Sequence, residues 1–147
     1  MDANRVKRNQ MLAQRVIKGL ESRNMEGYYA ESKEEALAKA LELIPEGSSV
    51  GWGGSMSIEE IGLKDAVCTG NYTVYNRDVC KTPEEKRQTE LSIIGSDYFL
   101  SSSNAITEDG VLVNIDGAAN RVAAISWGPK NVLMIIGMNK IVKSVED

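Results

Sequence analysis

Asn104-Ala-Ile-Thr-Glu-Asp-Gly-Val-Leu-Val-Asn-Ile-Asp-Gly-Ala-Ala-Asn-Arg121 packs two Asp-Gly turns, three asparagines, three carboxylates and one arginine into a span that otherwise reads as core strand. Val111, Val113 and Ile115 alternate as apolar β-formers and place the span inside a sheet. Asp-Gly between apolar alternations is the strongest short-range hairpin signal, so residues 105–107 and 111–115 are expected to pair around Glu108-Asp109-Gly110. Asp116-Gly117 reads as a second turn. Turn chemistry accounts for Asp109, Gly110, Asp116 and Gly117. It does not account for Asn104, Glu108, Asn120 and Arg121, which makes those four the first functional candidates.

Outward from this span the chain alternates helices and strands. Residues 3–23 read as an amphipathic helix on Val6, Ala13, Val16, Ile17 and Leu20, stopped by Gly27, with Tyr28 to Ala30 expected as a short strand. Ser32 with Glu35 three residues on forms a capping box for a second helix, ended at Pro45-Glu-Gly47. Ser48 to Trp52 is a strand that runs into Gly53-Gly54-Ser55, followed by a short helix from Met56 to Ile61 that Gly62 ends. Tyr72 to Tyr75 is a strand, and Thr82-Pro83-Glu84-Glu85 a strong helix start. That helix stays polar through Glu90, so its first half lies on solvent, on a partner subunit of a homodimer, or over a cleft.

Asp97 to Leu100 is a buried strand, and Ser101-Ser-Ser-Asn104 leaves its carboxyl end, where open α/β sheets hold ligands. Residues 118–125 suggest a short helix or tight connection carrying Asn120 and Arg121, and Asn131 to Ile136 the last strand of the sheet. Ser144 to Asp147 looks like the first turn of a helix cut short, so residues 1–147 are expected to be one α/β domain truncated at its C-terminus.

The second candidate site is Gly51-Trp-Gly-Gly-Ser55. Strand, glycine loop and helix start is an arrangement that collects anions, because glycines let backbone N–H groups approach a ligand and a first helical turn leaves donors unpaired. Gly51, Gly53, Gly54 and Ser55 are the expected contacts, and a tight turn that binds nothing is the competing reading. A helix terminus contributes about 0.3–2 kcal/mol, against the roughly 8 kcal/mol of micromolar affinity. Arg121 or the asparagines must therefore take part in any binding.

Composition narrows the chemistry. There is no histidine, which removes Ser-His and Cys-His catalysis and leaves carboxylates, lysine, tyrosine and cysteine. Cys68 and Cys80 alone supply no metal site and are expected to be buried free thiols, with a redox pair as the second reading. A net charge of −4 does not favour nucleic acid, although residues 1–24 are basic. No apolar run reaches the roughly 20 residues of a membrane helix, and no secretory signal opens the chain, so a cytoplasmic protein is expected.

Asn104-Ala-Ile-Thr-Glu-Asp-Gly-x-Leu-Val-Asn-x-Asp-Gly117, then Asn120-Arg-Val-Ala-Ala124, Gly128-Pro129 and Gly137-x-Asn-Lys-Ile-Val142, resembles the LUD (lactate-utilisation) domain family in its short bacterial form. Gly53-Gly-Ser-x-Ser-x-x-Glu-Ile-Gly62 is similar to that family's glycine loop and following helix. The resemblance implies a three-layer α/β/α fold, with a mostly parallel central sheet and a β-hairpin, of the kind shared by ribose-5-phosphate isomerase, glucosamine-6-phosphate deaminase and CoA transferases. It implies binding of a small carboxylate, acyl-CoA or phosphorylated ligand at the glycine loop. Glu108-Asp-Gly110 is similar in form to the Glu-x-Gly turn whose glutamate is the nucleophile of CoA transferases. Relatives continue into a further helix and a cysteine-containing tail, and work beside iron–sulfur subunits of lactate oxidation.

Two functions follow. In the first, Glu108 is nucleophile or general base in acyl-transfer or isomerase-type chemistry, while the glycine loop, Asn104, Asn120 and Arg121 hold an anionic substrate, with Asn114 as a further orienting group. In the second, the chain is a non-catalytic accessory or ligand-sensing subunit of a lactate-oxidation system. The residues choose neither, and they name no cofactor.

Overall fold

The computed structural model of the protein describes residues 2–53, 56–114 and 120–146, with Met56, Asn120 and Arg121 described in their backbone alone. In chain order the helices and strands are α1 (Ala3–Ser22), α2 (Lys33–Leu43), β1 (Ser49–Trp52), α3 (Met56–Glu60), α4 (Leu63–Thr69), β2 (Thr73–Tyr75) and α5 (Pro83–Ile94). There follow β3 (Tyr98–Ser101), β4 (Ala105–Thr107), β5 (Leu112–Val113), α6 (Asn120–Ser126), β6 (Asn131–Met134) and β7 (Ile141–Val142), with 3-10 turns at Arg77–Val79 and Met138–Lys140. They gather into two compact units.

The larger unit, residues 32–102 with 115–135, is built on a parallel sheet in the order β2-β1-β3-β6. Strand alternation sorts its side chains into two layers. Val50, Trp52 and Leu100 face one way and bury against Ala40, Ile44, Ile58, Leu63 and Val67 of the α2, α3 and α4 segments. Phe99 faces the other way and packs with Ile93 of α5 and Ala124 of α6. The result is the expected three-layer α/β/α arrangement with a mostly parallel central sheet. Ser49 and Asp97 fasten β1 to β3 at their starts, the Ser49 N–H donating to the Asp97 carboxylate at 2.9 Å and the Asp97 N–H to the Ser49 hydroxyl at 2.8 Å.

Local signals set the helix starts. The Ser32 hydroxyl accepts from Glu35 N–H at 3.1 Å and the Thr82 hydroxyl from Glu85 N–H at 3.1 Å, with Pro83 in the first turn of α5. Such a cap contributes about 1 kcal/mol. Gly62, at φ +79°, ends the short helix as expected, but the chain then turns helical again as α4. Seven residues with two buried side chains, Leu63 and Val67, leave too weak a period to announce a helix.

The smaller unit holds residues 2–31, 103–114 and 136–146. Here α1 accompanies a sheet in the order β5-β4-β7, antiparallel between β4 and β5 and parallel between β4 and β7. The hairpin around Glu108-Asp109-Gly110 is present, with Gly110 at φ +89° and its N–H donating to Thr107 C=O at 3.0 Å. β5 is shorter than the expected 111–115; Ile115, like the turn at Asp116-Gly117, lies outside the described residues. Tyr28 to Ala30 forms no strand: β propensity without a ladder neighbour does not make one. Residues 143–146 are bends and a turn rather than a helix start. Among the described residues no helix is long and apolar enough to cross a membrane.

Candidate functional site

The order β2-β1-β3-β6 contains a switch point. From β1 the chain passes through α3 and α4, on one face, to β2; from β2 it passes through α5, on the other face, to β3 on the far side of β1. The connections therefore part between β1 and β3, and ligands of open α/β sheets sit outside the carboxyl ends of strands at such a point. Gly53 leaves β1 there, its N–H donating to Leu100 C=O at 3.4 Å. Gly54 and Ser55 lie outside the described residues. Gly51 has a packing duty of its own, since a Cβ at that position would stand 2.6 Å from Ile93 Cγ1 and crowd the whole Ile93 side chain. α3 has five residues, so the helix dipole beside the loop is that of little more than one turn. Ser101 and Ser102, at the end of β3, are buried.

Beside Gly53 opens a cleft of about 200 Å³. Its wall is apolar, made by Leu91, Ile93 and Ile94 of α5, Phe99 of β3 and Ala124 of α6. Its polar groups are Arg77, which follows β2, and Arg87 and Glu90 of α5. Arg87, Glu90, Leu91 and Ile94 are spaced so that they share one face of α5. The polar first half of α5, residues 83–88, is exposed, and only Arg87 of it borders the cleft. Among the described residues, no hydrogen bond or ion pair engages either guanidinium or the Glu90 carboxylate.

A tight ionic group stands at the same strand end. The Lys64 ammonium, on a side chain only 14% exposed, contacts the Glu59 carboxylate at 2.7 Å and the Asp78 carboxylate at 3.1 Å. It lies 5.5 Å from the centre of the Trp52 ring, whose indole N–H donates to Asp78 at 3.1 Å. Burial pulls the Lys64 ammonium towards losing its proton, but the hydrogen bonds to Glu59 and Asp78 outweigh it and hold the pKa above the ordinary lysine value. Burial likewise pushes the Asp78 carboxyl up, and the hydrogen bonds from Lys64 and Trp52 bring it below the usual carboxylate range.

The Glu108 turn belongs to the smaller unit and is engaged with α1. Arg15 Nη1 donates to the Glu108 carboxylate at 3.0 Å, and the Glu108 backbone N–H donates to Val142 C=O at 2.9 Å. Arg23 Nη1 donates to Asp109 C=O at 2.5 Å and to Gly19 C=O at 3.1 Å, and its Nη2 is 3.7 Å from the Asp109 carboxylate. The Thr107 hydroxyl donates to the Asp109 carboxylate. A Cβ on Gly19 would stand 2.0 Å from the Asp109 carbonyl oxygen, and one on Gly110 would stand 2.7 Å from the Gly19 backbone. The turn therefore rests on the helix backbone itself. Asn104 N–H donates to Val113 C=O at 3.0 Å, and the Asn114 side-chain oxygen is buried without a partner.

The LUD domain model matches residues 13–147, nearly the whole chain. The chain belongs to the LUD domain family. Neither the curated proteins nor the solved structures gave a match.

In this LUD domain the expected site residues divide between the two units. Asn104 and Glu108 are in the smaller one; Gly51, Gly53 and the backbone of Asn120 and Arg121 are in the larger. The side chains of Asn120 and Arg121 lie outside what is described. Sequence reading missed Lys64, Asp78, Arg77 and Arg87. A signal existed for Arg77, because Asn76-Arg77-Asp78 leaves the carboxyl end of β2 just as Ser101 to Asn104 leaves β3. The two thiols are free, but Cys68 is exposed and Cys80 half-buried, which corrects the expectation of two buried ones. The α4 segment that carries Cys68 turns only Leu63 and Val67 fully inward. Among the described residues no group of His, Cys, Asp and Glu is placed to hold a metal ion.

Proposed function

We propose that this LUD domain binds a small anionic ligand, a carboxylate, an acyl group or a phosphate, where the glycine loop leaves β1. The observation that carries the reading is the coincidence of Gly53 with the switch point of the parallel sheet. Gly54 and Ser55 would supply backbone donors, Gly53 would let the ligand approach the chain closely, and Asn120 and Arg121 would be further contacts. Loop donors beside a helix of five residues cannot supply micromolar affinity, so guanidinium charge has to contribute most of it.

Between the two functions the family resemblance opens, the engagement of Glu108 favours the accessory or ligand-sensing one. A nucleophilic carboxylate needs an open approach to a reacting carbon, whereas this one is 3.0 Å from Arg15 and 26% exposed. Acyl-transfer or isomerase-type chemistry through Glu108 requires that pair to open. Lactate, acetyl-CoA and inorganic phosphate separate the readings. A ligand at a hundred times its Kd raises stability by about 2.7 kcal/mol, or roughly 5–10 °C in melting temperature. That rise is expected to survive Glu108→Gln and to disappear with Gly53→Val. A rise with none of the three ligands sinks the binding reading; turnover that vanishes in Glu108→Gln sinks the non-catalytic one.

A further inference from the structure

We infer that the cleft beside Gly53 takes a short-chain monocarboxylate, its carboxylate held by Arg77 and Arg87 and its hydrocarbon tail laid along Leu91, Ile94 and Phe99. The inference rests on the proposed anion binding at the same strand end and names the ligand class. Three observations carry it. Two guanidiniums that no hydrogen bond or ion pair engages among the described residues line one cavity, and the fork of an arginine matches a carboxylate through two parallel hydrogen bonds. Among the described residues of the lining Glu90 is the third charged group, and its carboxylate opposes a dianion beside it more than a singly charged head. The remaining wall is hydrocarbon, a surface that a bare hydroxy acid does not use but that an alkyl chain covers.

Size limits the tail. A cavity of about 200 Å³ lies below the roughly 300–1,000 Å³ of sites that enclose drug-sized molecules. A chain of a few methylenes fits. The nucleotide portion of a coenzyme does not, and would have to remain outside.

Titration calorimetry on the 147-residue chain with lactate, pentanoate, hexanoate and hexyl phosphate tests this. Each buried methylene strengthens binding about fourfold, so hexanoate is expected to exceed pentanoate by about that factor and lactate by about tenfold or more. Replacing both guanidiniums in R77Q/R87Q weakens hexanoate by about tenfold or more. Leu91→Ser narrows the hexanoate-to-lactate ratio by about fourfold. Arg87→Lys keeps the charge without the fork and falls between wild type and Arg87→Gln; because Arg87 is exposed, it also serves as the variant least able to disturb folding. Lactate binding with no gain for hexanoate overturns the inference and leaves the proposed function standing. Hexanoate binding undiminished in R77Q/R87Q, or hexyl phosphate binding tighter than hexanoate, overturns it as well. Binding of no anion at all overturns both.

Discussion

The Glu108 turn and the Arg77–Arg87 cleft are both polar clusters, and they differ in what their charges do. Around the turn every acidic side chain is answered: Glu108 by Arg15, Asp109 by Arg23 and Thr107. In the cleft, two guanidiniums and a carboxylate border an apolar wall, and among the described residues no hydrogen bond or ion pair engages them, although the Arg77 charge helps to hold the Asp78 carboxyl down. The first arrangement spends its charge on docking a hairpin against a helix. The second leaves its charge outside the packing of the helix on the sheet. Polar density along one segment of sequence is thus a poor guide to a site when a turn and a helix can consume it.

The sharpest way to break the comparison is to force the turn off the helix. Gly19→Val places carbon within 2.0 Å of the Asp109 carbonyl oxygen, backbone against backbone, so no rotamer relieves the contact. Overpacking of this kind costs about 3 kcal/mol, and a loss of roughly 10 °C in melting temperature is expected. Gly47→Ala is the control, at φ +86° but facing open space, and should cost only the backbone strain of about 1 kcal/mol. If Gly19→Val melts like Gly47→Ala, the turn is not seated on α1 and Glu108 regains its claim as a free carboxylate. On the other side of the comparison, Thr82→Ala removes the cap of the helix that carries Arg87 and Glu90, at a cost of about 1 kcal/mol read from the urea midpoint.

How legible each region was follows from sequence distance. The caps at Ser32 and Thr82 and the hairpin at Asp109-Gly110 are written within four or five residues, and all are present. The layers of the parallel sheet follow from the alternation of strands and helices together with the family signature. What was not legible depends on residues far apart in the chain. Glu108 and its partner Arg15 are separated by 93 positions, so the turn looked unspent. The cleft draws on β1, the residues after β2, α5, β3 and α6, none of which carries a motif for it. For Arg87 and Glu90 the sequence leaves solvent, a partner subunit and a cleft open until the register of α5 on the sheet is known.

The ionic group at the end of β1 supplies a smaller test, through pH. Asp78 is held below the usual carboxylate range, so its contribution is present above its unfolded pKa, near 4, and is lost as pH falls through the lower folded value. Lys64 is held above the ordinary lysine value; its contribution is complete below the unfolded pKa, near 10.4, and is lost as pH rises through the folded one. Asp78→Asn should therefore flatten the acid limb of a plot of urea midpoint against pH and leave the neutral region lower. The Asp78 side chain is 52% exposed, so solvent screening keeps the loss below about 1 kcal/mol. An acid limb unchanged from wild type would show that the carboxylate gains nothing from Lys64 and Trp52.

The smallest effect decides whether Glu108 is spent by energy or only by geometry. Arg15 is 65% exposed, and exposed pairs of this kind couple by about 0.2–1 kcal/mol. A double-mutant cycle on Arg15→Ala and Glu108→Ala should return a coupling in that range, shrinking in 1 M salt, where the screening length falls to about 3 Å. A coupling of zero would mean that the 3.0 Å contact stabilises nothing and that an acyl substrate could displace Arg15 at no cost. A positive coupling that salt does not touch would point instead to a pair shielded by its 26%-exposed carboxylate, and opening it for chemistry would then cost at least that energy in every turnover. Among the described residues the cleft has no such pair to open, so a carboxylate bound there would break no ion pair.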